Sequence, residues 1–315
     1  MNTIDIKSIK DSNCYIVDFS YILYRSYYAL NNLGVKLDNG LVRPTGHIVG
    51  TLSTITGIKD YDEDAIIFVA LDGYPQKRKE LCESVGIDYK GGRSKPEFNI
   101  KSDISTICDL LCHIPDVYLV ENEDAESDDI MFALSRDLDK SNTCYIYTSD
   151  NDLLQAINDN TFIISKWENG VPLIVDLEYY STSDTYVKKY KGCKPNKLPF
   201  YRAMIGDSSD NIKGIYRMNK DLAKIIAETM NDVSDFDKVY ENFYHIAKTP
   251  SKKNLLMDIS HSSNKRVKVN YEIMRLYDDL DYVVFREKAP IKSKLDKLQL
   301  NSFVKWLSTN KIDII

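Results

Sequence analysis

Hydrophobic residues along the chain fall into two regimes. Short runs rich in β-branched and aromatic residues, at 14–17, 65–71, 117–120 and 143–148, are bounded by polar turns. Between them lie longer stretches whose apolar residues recur at helical spacing. The runs predict strands, and the one at 65–71 is apolar throughout, as a parallel strand covered on both faces must be. Helices are predicted over 21–30, 45–58, 100–114 and 125–138. A hairpin is predicted over 161–165 and 171–175 around Glu168, Asn169 and Gly170, because Asn-Gly suits the tight turn. From 176 onward the pattern is mainly helical. Strands alternating with helices imply an α/β fold, a mainly parallel central sheet flanked by helices and joined by right-handed crossovers.

Three of these runs deliver a carboxylate where the strand ends: Asp18, Asp72 and Asp150. In such sheets, sites form beyond the carboxyl ends of the strands, so residues far apart in sequence are expected along one edge. Nearby in the pattern are Glu126, Asp128 and Asp129 where the 125–138 helix begins, Asp152 beside Asp150, and Asp207 and Asp210 in a Gly/Ser/Asn turn. Acidic residues also cap helices, and for the 123–129 stretch alone capping is the simpler account. The other six carboxylates overturn that reading. So many cannot share a small site unless strong cations are present, because like charges would keep some protonated.

Hard oxygen ligands select Mg²⁺, with Mn²⁺ as a substitute, over Zn²⁺. Two such ions roughly 4 Å apart can activate a water, orient a phosphodiester and stabilise the entering and leaving oxygens. A structural Ca²⁺ site would most commonly use a D-x-[DN]-x-[DN]-G loop, which is absent. Neither G-x-G-x-x-G nor G-x-x-x-x-G-K-[ST] occurs, which argues against dinucleotide and P-loop readings.

At 315 residues, with 43% hydrophobic and 28% charged residues, the composition is that of a globular protein with a large core. No stretch approaches the roughly 18 apolar residues of a membrane span, and the start of the chain, with Asp5, Lys7 and Lys10, lacks a signal-peptide apolar region. No membrane partner is expected, and the expected location is the cytoplasm of a bacterium or of a phage-infected host. The six cysteines have no C-x-x-C spacing and read as buried reduced thiols. Cys108, Cys112 and His113 lie on an apolar helical stretch and read as core rather than metal ligands. Setting the nine candidate carboxylates aside turns the net charge from −6 to about +3. The remaining cations bunch at 77–79 with Lys90, Arg93 and Lys95, at 248–268 and at 288–297, which supports a nucleic-acid partner.

Five motifs in order resemble the 5′ nuclease superfamily: phage replication 5′→3′ exonucleases, flap endonucleases and the 5′ nuclease domain of bacterial DNA polymerase I. They are Val17-Asp18-Phe19-Ser20 leading to Tyr24-Arg25-Ser26-Tyr27-Tyr28-Ala29; Leu71-Asp72 with Arg78 and Tyr89-Lys90-Gly91-Gly92-Arg93; Glu126-Ser127-Asp128-Asp129; Thr148-Ser149-Asp150-Asn151-Asp152-Leu153; and Tyr201-Arg202-Ala203-Met204-Ile205-Gly206-Asp207-Ser208-Ser209-Asp210-Asn211. The resemblance covers roughly 14–225. It implies a PIN-like or resolvase-like sheet over residues 1–175 with a helical arch at about 73–97. Residues 176–315 would form a helical region that completes the metal site and binds duplex DNA. Asp18, Asp72, Glu126 and Asp128 would hold the tighter metal, and Asp129, Asp150, Asp152, Asp207 and Asp210 the second. Arg78, Tyr89, Lys90 and Arg93 would clamp the 5′ end of the substrate, with Lys90 stabilising charge on the scissile phosphate and Tyr89 stacking on a base.

There are two departures. More residues separate Arg78 from Tyr89 than the family pattern leads one to expect. Arg217 and Asn219 stand where relatives have the glycines of a Gly-Ile-Gly hairpin, which weakens the case for a bound monovalent cation and for the duplex contact there.

The implied function is a divalent-metal-dependent 5′→3′ exonuclease and 5′-flap endonuclease acting on DNA, and on RNA in RNA–DNA hybrids, in replication or repair. With no polymerase segment following, a freestanding phage-type nuclease is expected. It would act as a monomer on DNA with a 5′ end or 5′ flap, alongside replication proteins. Two alternatives carry different chemistry: a PIN-like ribonuclease, which needs neither the arch nor the 206–211 motif, and a non-enzymatic branched-DNA-binding protein with structural ions.

Overall fold

The computed structural model describes residues 2–90, 100–261 and 265–312. Eight strands form one sheet: β1 (Asn2–Thr3), β2 (Asn13–Asp18), β3 (Ile66–Ala70), β4 (Val117–Glu121), β5 (Thr143–Tyr147), β6 (Thr161–Glu168), β7 (Val171–Val175) and β8 (Val283–Arg286). Their order is β1-β8-β4-β3-β2-β5-β6-β7. The β4-β3-β2-β5-β6 centre is parallel, and β7, β8 and β1 add antiparallel pairs at the two edges. The chain builds outward from β2 through β3 to β4, then crosses back to place β5 on the other side of β2. That reversal opens the sheet's carboxyl edge between β2 and β5, with Asp18 at the tip of β2.

The apolar runs divide by alternation, as a pleated strand buried on both sides requires. Cys14, Ile16, Phe68 and Ala70 join one core with Ile130 and Leu134 of the helix Ser127–Leu138 and with Leu198, Met204, Ile226 and Leu256. Tyr15, Val17, Ile67 and Val69 join the opposite core with Ile22, Leu52, Ile55, Ile107 and Leu110. The segment after the first long loop is helical over Gly46–Tyr61 despite its glycines. Close helix contact explains why glycine is needed there: a Cβ at Gly46 would lie 2.1 Å from the Leu30 carbonyl oxygen, and one at Gly50 would lie 2.5 Å from Ser26 Cβ. The predicted hairpin is present, with Asn169 and Gly170 at φ 52° and 79°, the left-handed pair that its turn demands.

The expected helical unit over 176–315 needs an amendment. Residues 176–282 pack against the face that carries the Ser127–Leu138 helix, but β8 then returns to the sheet beside β4. The following helices, Lys292–Leu298 and Asn301–Thr309, bury Leu295, Leu298, Phe303 and Leu307 in the opposite core. The run 283–286 is too short for its period to separate a strand from a helical turn, and only its pairing decides. If this tail is integral to the core, Leu307→Ala should cost about 2–4 kcal/mol by lost transfer energy and a residual cavity. Urea denaturation would measure it, and a loss under about 0.5 kcal/mol would show the tail to be peripheral.

Candidate metal centre

Each carboxylate is held by the element that delivers it. Asp18 caps the helix Phe19–Ala29, accepting from the Tyr21 N–H at 3.0 Å, while its other oxygen accepts from the Thr148 hydroxyl at 2.9 Å. Asp72, two residues past β3, accepts from the Ser127 N–H at 3.0 Å and from the Ser20 hydroxyl. The helix N-terminus that begins with Ser127 therefore donates to a carboxylate on a different strand. Glu126 occupies the N-cap position of that helix, with Asp128 and Asp129 in its first turn. Asp150 accepts from the Asp152 N–H at 2.8 Å, and Asp207 from the Ser209 N–H at 2.8 Å.

These residues surround two adjoining spaces. An open cavity of about 870 Å³ is lined by Asp18, Asp72 and Asp150 and by Tyr24, Arg25 and Lys101. Beneath it lies a nearly filled pocket walled by Lys90, Glu126, Asp128, Asp152, Arg202 and Asp210, and Asp150 borders both. All nine candidate carboxylates lie at or next to these spaces, but they are not equivalent. Asp207 and Asp129 line neither pocket: Asp207 meets Arg202, which lines the second, while Asp129 is bound on both oxygens, by the Arg78 guanidinium and by the Tyr277 N–H at 3.1 Å. Asp129 serves as the anchor of a buried ion pair.

The electrostatics record the crowding. Burial, and then the neighbouring Asp72, push the Asp18 carboxyl up to about 6 against a few opposing hydrogen bonds. Burial and then Asp152 push Asp150 to about 6. Asp128 is raised well above the ordinary range by burial and by Asp150, Asp18 and Asp152 together. Glu126 goes the other way: burial would raise it, but Lys90 and Arg78 outweigh burial and hold it below the usual value. Among the described residues no three Asp, Glu, His or Cys side chains close around a single point. Arg78, Lys90 and Arg202 instead occupy oxygens of Glu126, Asp129, Asp152 and Asp207. The donor chemistry, all oxygen and too negative for its burial, nevertheless fits hard divalent cations.

Three expectations for the substrate clamp change. Arg78 is only 5% exposed. Its Nε donates to the Ile273 carbonyl at 2.9 Å, Nη1 to Glu126 at 3.0 Å and Nη2 to the Arg275 carbonyl at 3.1 Å, besides its bonds to Asp129. The reason is that the helix Gln76–Ser84 docks its Arg78 and Cys82 face against the helix Lys265–Met274. Tyr89 is half-buried against the cluster of Cys82, Ile87 and Ile212, and its hydroxyl donates to Glu126 at 2.9 Å, which ties it to the carboxylates. Lys90 is brought into the pocket, its ammonium on Glu126. Arg93 and the 91–97 part of the expected arch lie outside the described residues. Cys108, Cys112 and His113 are core residues, His113 Nε2 lying 2.7 Å from the Ala289 carbonyl oxygen.

Arg202 lies within the fifth motif, but the sequence alone assigns it no role at the site. It bridges Asp152 and Asp207 from the helix Leu198–Ile205. The available signal was one arginine in an otherwise apolar helix, five residues before Asp207. In the departed hairpin, Arg217 adopts φ 60°, the left-handed form in which glycine is favoured. Asn219 does not follow it, at φ −86°; it caps the next helix, accepting from the Asp221 and Leu222 N–H groups.

A family model described as the 5′-3′ exonuclease, N-terminal resolvase-like domain, matches residues 13–191. The chain belongs to this family. It is 29% identical over 300 residues to a 5′-3′ exonuclease of Aquifex aeolicus, covering 92% of this chain and 93% of that one. Its fold is similar to a bacteriophage T5 flap endonuclease in a pseudo-enzyme–product complex with DNA and metal ions, with TM-score 0.56, 15% identity and coverage of 94% and 99% of the two chains. It is also similar to the catalytic core of Rad2 in complex with DNA substrate, with TM-score 0.51, 16% identity and coverage of 99% and 94%.

The raised carboxyls have a consequence for stability. Asp18 and Asp150 have folded-state values near 6 against an ordinary 3.8, so the metal-free folded protein binds more protons than the unfolded chain in that window. Their contribution to stability is therefore present at low pH and is lost as pH rises through about 4 to 6.5. The melting temperature of the metal-free protein should carry a downward component of on the order of 5 °C across that range. Asp18→Asn/Asp150→Asn should flatten the profile by a comparable amount. An identical pH profile in the double variant, read by calorimetry, would show that these carboxyls are not strained.

Proposed function

We propose that this chain is a divalent-metal-dependent 5′→3′ nuclease that trims 5′ ends and cuts 5′ flaps in DNA, and in RNA–DNA hybrids. The observation that carries the reading is the row of carboxylates at the β2–β5 edge facing an open cavity lined by Arg25 and Lys101. A structural-ion protein has no need of such an opening beside its ligands. Asp18, Asp72, Glu126 and Asp128 would hold one cation, and Asp150, Asp152, Asp207 and Asp210 the other. Bound there, Mg²⁺ or Mn²⁺ would make a water nucleophilic and stabilise charge on the phosphodiester oxygens.

The chain's own residues do the rest. Hydrogen bonds from Tyr21, Thr148, Ser20 and Ser127 fix the rotamers of Asp18 and Asp72, so the acceptors are placed before substrate enters. Arg25, itself anchored to Thr54 at 3.0 Å, and Lys101 present positive charge along the cavity wall. Tyr24 lines the same wall, as does Tyr28, which is 64% exposed, so aromatic surface for unpaired bases lies beside the cations. Lys90 offsets the charge of Glu126 and lies close enough to Asp128 to lower its pKa.

Asp128→Asn or Asp150→Asn should lower cleavage of a labelled 5′-flap duplex by about a thousandfold or more, while binding of that duplex survives. Undiminished turnover at saturating Mg²⁺ would place the chemistry elsewhere, and faster cleavage of an all-RNA strand than of DNA would favour the ribonuclease alternative. Lys90→Ala should slow single-turnover cleavage at least about tenfold, equivalent to roughly 1.4 kcal/mol. Lys101→Ala, at the open wall, should act chiefly on binding and more strongly at low salt. If Lys90→Ala behaved like Lys101→Ala, Lys90 would be a substrate contact only.

A further inference from the structure

The open cavity has two walls of different origin. One is the sheet edge with Asp18, Asp72 and Asp150, joined by the helix Phe19–Ala29 that brings Tyr24, Arg25 and Tyr28. The other comes from residues 100–104, where Ile100, Lys101 and Ile104 face the same space. Lys101 is exposed and sits on a single 3₁₀ turn, Ile100–Asp103, whose own hydrogen bonds are too few to fix it. The turn is held from both ends instead. Ile100 is buried in the core with Ile107 and Leu110, and Asp103 is held by its carboxylate.

Asp103 is 3% exposed and joins two donors from other elements. The Arg43 guanidinium, on the short strand Val42–Pro44, takes Oδ1, and His47 Nε2, in the first turn of the helix Gly46–Tyr61, donates to Oδ2 at 3.0 Å. His47 is fully buried. Burial holds its imidazole below the usual value against the pull of Asp103, so near neutral pH the ring carries one proton, on the nitrogen that meets the carboxylate. The ring also meets Tyr27 edge-on with centroids 6.4 Å apart, and Tyr27 meets Tyr28 at 5.1 Å. A line of packed groups thus runs from the turn of Lys101 through Asp103, His47 and Tyr27 to the opposite wall. Buried ion pairs add little stability over apolar residues of the same size, so fixing geometry is the better account of this one.

We infer that the Arg43–Asp103–His47 link is a strut that sets the spacing of the two cavity walls and holds Lys101 where entering nucleic-acid phosphates pass. This rests on the nuclease reading above. A lysine ammonium rides on a flexible four-carbon stem, and a fixed base reduces the freedom lost when it meets a phosphate. Both oxygens of Asp103 are committed to Arg43 and His47, so Asp103 is a positioning residue that acts on affinity through Lys101.

The test is a double-mutant cycle on cleavage of a labelled 5′-flap duplex at low salt, with KM and turnover at saturating DNA measured separately. Asp103→Asn keeps the side chain's shape and releases the ion pair with Arg43; it should raise KM about tenfold and change saturated turnover by less than about twofold. Lys101→Ala should raise KM by a similar factor in wild type, but by less than about twofold in the Asp103→Asn background, because the contact that Asp103 supports is already lost. If Asp103→Asn does not fold, Arg43→Gln, at a side chain 37% exposed, frees the same oxygen and should raise KM about threefold in wild type and leave it unchanged in Lys101→Ala. Lys101→Ala effects of equal size in both backgrounds would overturn the inference, as would an Asp103→Asn loss that falls on turnover instead of KM. Both results leave the nuclease reading standing. A wild-type chain that cleaves no flap with Mg²⁺ or Mn²⁺ would overturn that reading, and the strut's role with it.

Discussion

The structure depends on one electrostatic constraint: more carboxylates meet at the carboxyl edge of the sheet than a buried site can hold ionised. Parallel strands create the convergence, since β2, β3 and β5 end level with one another in the observed register. The cluster survives by three separate devices. Neutral donors satisfy Asp18 and Asp72. Buried cations take Glu126, Asp129, Asp152 and Asp207. Of the others, Asp128 and Asp150 carry carboxyls with raised proton affinity, as does Asp18 despite its donors. Each device has a different chemical meaning. The first orients, the second neutralises for good, and the third leaves charge that a divalent ion relieves.

How much of this was legible in the sequence follows from which signals are local. A strand ending in Asp is a local pattern, so Asp18, Asp72 and Asp150 could be placed on one edge from alternation alone. The Asn169-Gly170 turn is local too. The burial of Arg78 is not. The 73–97 segment reads as a long basic loop, and only Cys82, one turn from Arg78 in the helix Gln76–Ser84, hints that this face is covered. What covers it, the carbonyls of Ile273 and Arg275, lies almost two hundred residues away in sequence. The pairing of Asp129 with Arg78 and the Tyr277 N–H is hidden for the same reason. Both partners are distant, and a motif shows a carboxylate without showing which way it faces. The strand Val283–Arg286 was missed because an edge strand of four residues leaves no period to read.

The hairpin between Asp207 and Asn219 shows how a fold imposes a backbone form on a residue that does not favour it. Arg217 stands at φ 60° where glycine would be relaxed, a conformation an arginine adopts at a cost of order 1 kcal/mol. The turn is dictated from both ends. Gly206 and Gly214 pack so closely that a Cβ on Gly206 would lie 2.3 Å from the Gly214 nitrogen. At the far end Asn219 caps the helix Lys220–Ala227 with two hydrogen bonds. Between these two ends the chain turns left-handed at Arg217. The exposed Tyr216 and Arg217 at the apex therefore project a ring and a cation where a glycine hairpin would offer only backbone.

Arg78 and Arg202 also explain why the C-terminal half of the chain belongs to the site rather than beside it. Arg78 links the helix Gln76–Ser84, the start of the helix Ser127–Leu138 and the carbonyls that end the helix Lys265–Met274, while Tyr277 closes the ring by donating its N–H to Asp129. Arg202 links the turn after β5 to the 206–213 hairpin. Neither pair would stabilise much if solvent-exposed, because screening and side-chain entropy offset such contacts. Buried, they are unforgiving, since losing one partner strands a charge. The C-terminal elements therefore cannot drift from the sheet without exposing or unpairing these guanidinia, and the positions of Glu126, Asp152 and Asp207 are tied to that docking.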